Sequence, residues 1–212
     1  MYSCKLVQKA FARILLADFL RDPSPYLEGR YSGLEEFRDI NLESTYFDRP
    51  LEIAAMAASK ELFEEKTKPS LLISNQVGNM YTPSLYEGLA SFIASHSLDT
   101  LADTRVLMFS YGSGLASSMF SMKFTDDQTP GGALDRMLVS LADLRQRLDG
   151  RHKVSPSEFD DNQKMREQTH QLVPYTPAGC LDKLCPGTWY LAEIDSQRRR
   201  KYRRIDTDVC VS

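Results

Sequence analysis

Two short polar bends, each containing glycine and each placed directly behind a brief apolar run, constrain this chain more than any other feature. The first is Ser74-Asn75-Gln76-Val77-Gly78-Asn79-Met80-Tyr81, behind Leu71-Leu72-Ile73. The second is Ser110-Tyr111-Gly112-Ser113-Gly114, behind Val106-Leu107-Met108-Phe109. An apolar run of that length between breakers suits a buried strand. A strand that passes through a glycine turn into a helix presents functional groups at the end of a sheet. The two bends are therefore expected to meet at one sheet end, with a helix over residues 84–95 behind the first. Residues 118–124 alternate and should return from the second bend as its partner strand.

Helical segments surround these bends. Residues 4–20 carry Val7, Phe11, Ile14 and Leu15 at helical spacing, while Lys5, Lys9 and Arg13 recur every four residues as a cationic stripe on another flank. This helix should stop at Arg21-Asp22-Pro23, because proline disfavours helical geometry in the residue before it. Residues 22–32 then read as a loop. A second helix is expected over residues 51–66. A third, over 133–149, aligns Leu134, Met137, Leu138, Leu141, Leu144 and Leu148 on one face, with Gly150 at its C-terminal cap. Ser155-Pro156-Ser157-Glu158 is a capping box that opens a helix polar nearly all round. Residues 188–194 and 201–205 form a terminal hairpin. Strands mixed among helices give an α/β chain.

The 212 residues allow one large domain or two small ones. A net charge of −3 gives no support for a dedicated nucleic-acid or membrane binder, and the basic run Arg198-Arg199-Arg200-Lys201 reads best as part of a solvated hairpin. No apolar run approaches transmembrane length, and Met1-Tyr2-Ser3-Cys4-Lys5 does not open a signal peptide. Cys4, Cys180, Cys185 and Cys210, with His96, His152 and His170, lack the spacing of a metal site and suit a reducing compartment. The ending Val209-Cys210-Val211-Ser212 is one position out of register for prenylation.

Within the bends, Asn79 offers an amide to a carbonyl and Ser113 a hydroxyl. Gly78, Gly112 and Gly114 allow close backbone approach. Ordinary turns whose polar groups satisfy their own backbone account for the same pattern. The Lys5/Lys9/Arg13 stripe could clamp phosphates, but its charge pattern alone favours a solvated helix face. Neither GxxxxGK[ST] nor GxSxG is present.

Residues 74–82 (SNQVGNMYT), with Phe109-Ser110-Tyr111-Gly112-Ser113-Gly114, resemble the C-terminal half of 3-hydroxy-3-methylglutaryl-CoA synthases. So do Cys4-Lys5-Leu6-Val7-Gln8-Lys9, Tyr31-Ser32-Gly33-Leu34-Glu35, Thr45-Tyr46-Phe47-Asp48 and Pro186-Gly187-Thr188-Trp189-Tyr190-Leu191, so the likeness covers nearly all of residues 1–212 as one C-terminal domain. The resemblance implies half of a thiolase-like layered αβαβα fold, a mixed sheet with packed helices. It implies the condensation of acetyl-CoA with acetoacetyl-CoA to HMG-CoA, on the mevalonate route to isoprenoids and sterols or in ketone-body synthesis. No cofactor is implied beyond the CoA thioesters, which are substrates, and the full-length family implies a homodimer. By position, Asn79 would hydrogen-bond the acyl carbonyl or the carboxylate end of the product, and Ser113 would bind the product's acyl portion. Lys5 and Lys9 would face the phosphates or the pantetheine arm of CoA, with Tyr111 and Gly112 supporting.

The family's cysteine nucleophile, glutamate base and histidine are not matched in this sequence. The histidine's His-x-Pro-x-x-Lys context places it one position before Met1. Residues 1–212 alone are therefore expected to bind without turnover. A non-catalytic acyl-CoA-binding or dimerising module that partners a full-length synthase is the alternative. The resemblance favours a cytoplasmic form, with a mitochondrial one open.

Overall fold

The computed structural model describes residues 4–22 and 29–206. Most of the proline-rich loop, the first three residues and the Cys210 ending lie outside them. The chain divides into two compact units, Met1–Arg151 and His152–Ser212.

The first unit opens with helix α1 (Cys4–Arg21), which ends where the proline was expected to end it. Its buried stripe is Ala12, Leu15, Leu16 and Phe19, at positions i, i+3, i+4 and i+7. These pack on Tyr31, Leu34, Leu51 and Ala55. The expected face was rotated too far: Ile14 is 59% exposed, while Phe11 meets Phe63 edge-on with ring centroids 5.8 Å apart. Arg13 leaves the expected stripe altogether. Its Nη1 donates to Thr45 Oγ1 and its Nη2 to the Thr45 carbonyl, both at 2.5 Å, and its guanidinium lies 5.7 Å from the Tyr46 ring centre. Thr45 is fully buried.

The helix expected over 51–66 is two helices, α2 (Arg49–Ala58) and α3 (Lys60–Lys66), which meet at the buried Ser59. Asp48 caps α2 by accepting the Leu51 N–H at 3.0 Å. The strand expected at 71–73 is not formed. A 3₁₀ turn, Lys68–Leu71, runs directly into α4 (Leu72–Val77). A short apolar run cannot by periodicity be told from a buried helix segment. Here it packs on a neighbouring helix, α5 (Ser84–Ile93), where Ser91 Oγ accepts the Ile73 N–H at 3.1 Å. Gly78, at φ 87°, ends α4.

After α6 (Leu98–Leu101), strands β1 (Arg105–Gly112) and β2 (Ala116–Lys123) form the expected hairpin. The ladder is antiparallel, with Arg105 opposite Lys123 and Gly112 opposite Ala116. The helix expected over 133–149 is broken into α7 (Ala133–Ser140) and α8 (Leu144–Asp149). Between them, short-range bonds from Leu141 N to the Leu138 carbonyl and from Leu144 N to the Leu141 carbonyl tighten the chain. Only Leu134 of the proposed face is fully buried, in a second core with Ile93 and Leu101. Gly150 caps α8 as expected.

In the second unit, Ser155 Oγ accepts the Glu158 N–H at 3.1 Å and opens α9 (Pro156–Gln168), which is exposed along its length. Strands β3 (Trp189–Ile194) and β4 (Arg200–Arg204) form the terminal hairpin. Its basic residues lie at the surface. Arg199 pairs with Asp195 at 2.7 Å, and Arg204 lies 6.0 Å from the Trp189 ring centre. Mixed helix and strand hold as expected, and among the described residues the two sheets are each two-stranded and antiparallel.

One polar seam runs along α5. Ser84, Glu87 and Ser91 share a face, and Ser84 and Ser91 are hydrogen-bonded. Glu87 is 6% exposed, and neither carboxylate oxygen has a partner among the described residues. A buried acceptor left unpaired costs its desolvation. Urea unfolding should therefore show Glu87→Leu raising stability by about 1–3 kcal/mol. Arg13→Ala should lower it by about 1.5–3 kcal/mol, because charge-assisted bonds to a buried threonine are lost. The opposite sign for either would contradict these assignments.

Candidate functional site

The first bend is built by the packing of α4 on α5. Asn79 Oδ1 accepts the Tyr81 N–H at 2.9 Å and lies 3.4 Å from Ser84 Oγ, which itself accepts the Met80 N–H at 3.1 Å. A backbone N–H can only donate, so these bonds fix which side of the amide is oxygen. The Asn79 NH₂ group is left without a protein partner among the described residues. Two donors are thus held in a fixed orientation on a half-buried side chain.

The second bend is the β1–β2 turn. Ser113 (φ 55°) and Gly114 (φ 66°) both have left-handed backbone, and the Gly112 carbonyl accepts the Leu115 N–H at 3.2 Å. Left-handed geometry is uncommon for serine and concentrates at functional positions. Tyr81 in the first bend shares it, at φ 57°. The Ser113 hydroxyl is exposed and has no hydrogen-bond partner among the described residues. Tyr111, opposite Ser117 on the ladder, packs its ring 6.2 Å from that of Phe109. No hydrogen bond or ion pair among the described residues joins Asn79 to Ser113; each bend is held by its own local bonds.

The lysine pair is divided. Lys5 is exposed, touches Gln8 Oε1 at 3.3 Å and keeps its charge unpaired among the described residues. It lies on a groove of about 500 Å³ between α1, α3 and α4, whose wall also includes Lys60, Lys68 and Asn75. Lys9 instead pairs with Glu52 of α2 at 2.9 Å. Sequence reasoning missed Lys60 and Lys68, because charged residues in a Glu/Lys-rich helix read as a solvated face. Only the fold brings them to Lys5. His96 Nδ1 is 2.7 Å from the Phe92 carbonyl, a local helix-end contact. Among the described residues no grouping of His, Cys, Asp and Glu could hold a metal ion, the three cysteines are free, and no helix is long and apolar enough to cross a membrane.

The fold is that of hydroxymethylglutaryl-CoA synthases, which are thiolase-like. The solved structure of MvaS in complex with 3-hydroxy-3-methylglutaryl coenzyme A superposes with TM-score 0.58 at 24% identity, covering 96% of this chain and 40% of that one. PksG, an HMG-CoA synthase from Bacillus subtilis, superposes with TM-score 0.54 at 22% identity, covering 84% of this chain and 39% of that one.

In sequence, residues 2–205 match the family described as hydroxymethylglutaryl-coenzyme A synthase C terminal, and the chain belongs to that family. It is 55% identical over 204 residues to the human cytoplasmic hydroxymethylglutaryl-CoA synthase, covering 96% of this chain and 39% of that protein. Against the mouse mitochondrial synthase it is 46% identical over 201 residues, covering 95% of this chain and 40% of that protein. The chain thus spans about two-fifths of the length of the curated relatives it matches.

The Lys9–Glu52 pair carries a pH signature. The hydrogen bond from Lys9, with the charges of Lys9 and Arg49 behind it, holds the Glu52 carboxyl below its ordinary value of 4.5. A carboxyl lowered by folding stabilises the fold above its unfolded pKa, and that contribution disappears as pH falls through the folded value. Thermal melts from pH 7 down to pH 3 should show wild type losing stability below about 4.5, with the acid limb shallower in Lys9→Ala. Superimposable limbs would show that the pair contributes nothing.

Proposed function

We propose that this protein supplies the C-terminal, acyl-CoA-binding portion of a hydroxymethylglutaryl-CoA synthase that condenses acetyl-CoA with acetoacetyl-CoA. The likeness to full synthases supports this reading, and it includes the human cytoplasmic enzyme over 96% of the chain. The observation that carries it at the site is the Asn79 amide, whose oxygen is spent on its own turn while its NH₂ group is free and fixed. Two oriented N–H donors are what a thioester carbonyl needs from a binding residue, and they weigh against the account of Asn79 as a turn residue only. Pre-set donors cost little reorganisation when the ligand arrives.

In this reading, Asn79 donates to the acyl carbonyl and the Ser113 hydroxyl to the acyl portion. Gly112 and Tyr111 shape the second bend, and Lys5 attracts a CoA phosphate. Lys9 reaches CoA only by releasing Glu52. Condensation also needs a thiolate to carry the acetyl group and a base to form the carbon nucleophile. No residue of 1–212 matches the family's positions for these groups, so residues 1–212 on their own bind the thioester and do not turn it over. No cofactor beyond the CoA thioesters is invoked. The assembled synthase acts as a homodimer, in the cytoplasm.

Calorimetric titration of the 212-residue protein with acetyl-CoA should give saturable binding. Asn79→Ala and Ser113→Ala should each weaken it by roughly 3- to 10-fold, the equivalent of one hydrogen bond. Consumption of acetyl-CoA with acetoacetyl-CoA should not exceed a boiled control. Turnover, or binding unchanged by both substitutions, would contradict the proposal.

A further inference from the structure

We propose that Lys60 and Lys68, together with Lys5, form a phosphate-binding rim for the nucleotide end of CoA in the groove between α1, α3 and α4. The inference rests on the acyl-CoA reading and extends it to residues that the sequence motifs do not include.

The groove brings together three parts of the chain that are distant in sequence. Lys5 comes from the first turn of α1, Lys60 from the start of α3 and Lys68 from the 3₁₀ turn before α4. Neither Lys5 nor Lys60 has an ion-pair partner among the described residues. Lys68 meets Glu64 Oε1 at 3.3 Å, and Glu64 is the one carboxylate on the groove wall among the described residues. Three cations against one carboxylate leave the rim with an excess of positive charge. Isolated lysines on a surface are ordinary, but three converging on one concavity repel each other unless an anion lies between them.

The rest of the groove narrows the class of anion. Its wall is apolar where Met56, Phe63 and Leu71 contribute, and Phe63 is buried and braced by Phe11. Asn75 adds an amide that can both donate and accept. A volume of about 500 Å³ suits a group of nucleotide size. An apolar wall for a flat base, an amide for its edge and lysines for several phosphates fit an adenosine carrying phosphates at both ends. A slender pantetheine arm would leave most of the groove empty.

The position of Lys68 gives a directional expectation. Glu64 competes with the ligand for that ammonium group, so removing the carboxylate should strengthen phosphate binding while removing the lysine weakens it.

Titrations of the 212-residue protein with CoA, pantetheine and adenosine 3′,5′-bisphosphate test this. Lys60→Ala and Lys68→Ala should each weaken CoA and the bisphosphate by roughly 3- to 10-fold and leave pantetheine unchanged. Glu64→Gln should tighten CoA, and all these effects should shrink at high salt. All three side chains are exposed, so circular dichroism should show unaltered folds. Acetyl-CoA affinity unchanged in both lysine variants but weakened in Asn79→Ala would overturn the groove assignment and leave the acyl-CoA reading standing. Bisphosphate binding that depends on Lys60, with no acetyl-CoA binding, would overturn the acyl-CoA reading and keep the groove. Absence of binding to all three ligands would overturn both.

Discussion

Burial of the α1 stripe against α2 is the constraint on which the rest of the first unit depends. Ala12, Leu15, Leu16 and Phe19 close on Leu34, Leu51 and Ala55, and the polar groups flanking them are satisfied across the same seam. Arg13 ties the helix to the buried Thr45, and Lys9 ties it to Glu52. Each leucine or phenylalanine side chain buried here stabilises by roughly 1.5–3 kcal/mol, so the seam dominates over the ion pair at its edge. The seam also brings Glu52 of α2 beside Lys9, one turn beyond Lys5 on the same face of α1. Lys5, one turn nearer the start of the helix, has no carboxylate partner among the described residues.

A second seam, between α4 and α5, does for the first bend what α1 does for the groove. Ser91 takes the Ile73 N–H and Ser84 takes the Met80 N–H, so the ends of α4 and α5 are held together where the chain turns. Asn79 is fixed by that closure, with its amide oxygen committed and its NH₂ group free. Glu87, between the two serines, is the one member of the seam without a partner among the described residues. A seam that keeps a buried acid in a helix otherwise well suited to packing departs from the local optimum, and such departures collect beside functional groups.

Parts of this were legible in the sequence because the determinants are local. α1 ends at Arg21 as the Arg21-Asp22-Pro23 sequence leads one to expect, Ser113 and Gly114 turn the β1–β2 hairpin, and Ser155 caps α9, each a determinant within four residues. The errors share one cause. Leu71-Leu72-Ile73 has the composition of a strand and becomes helical because α5 supplies its contacts. The apolar pattern over 133–149 is continuous, yet the chain breaks at residues 141–143, where tighter hydrogen bonds replace the helical ones. Lys9 and Arg13 read as members of one cationic stripe until their partners, Glu52 and Thr45, are brought to them from 43 and 32 residues away in sequence. The polar bends were found by residue type, and the availability of Asn79 was set by hydrogen bonds that no spacing rule reveals.

The most direct test of the central claim is a map of amide chemical shifts in the 212-residue protein during titration with acetyl-CoA. The account predicts the largest changes near residues 5, 75, 79 and 111–114, with α9 unmoved. Changes confined to α9 or the terminal hairpin, or none at saturating ligand, would contradict it.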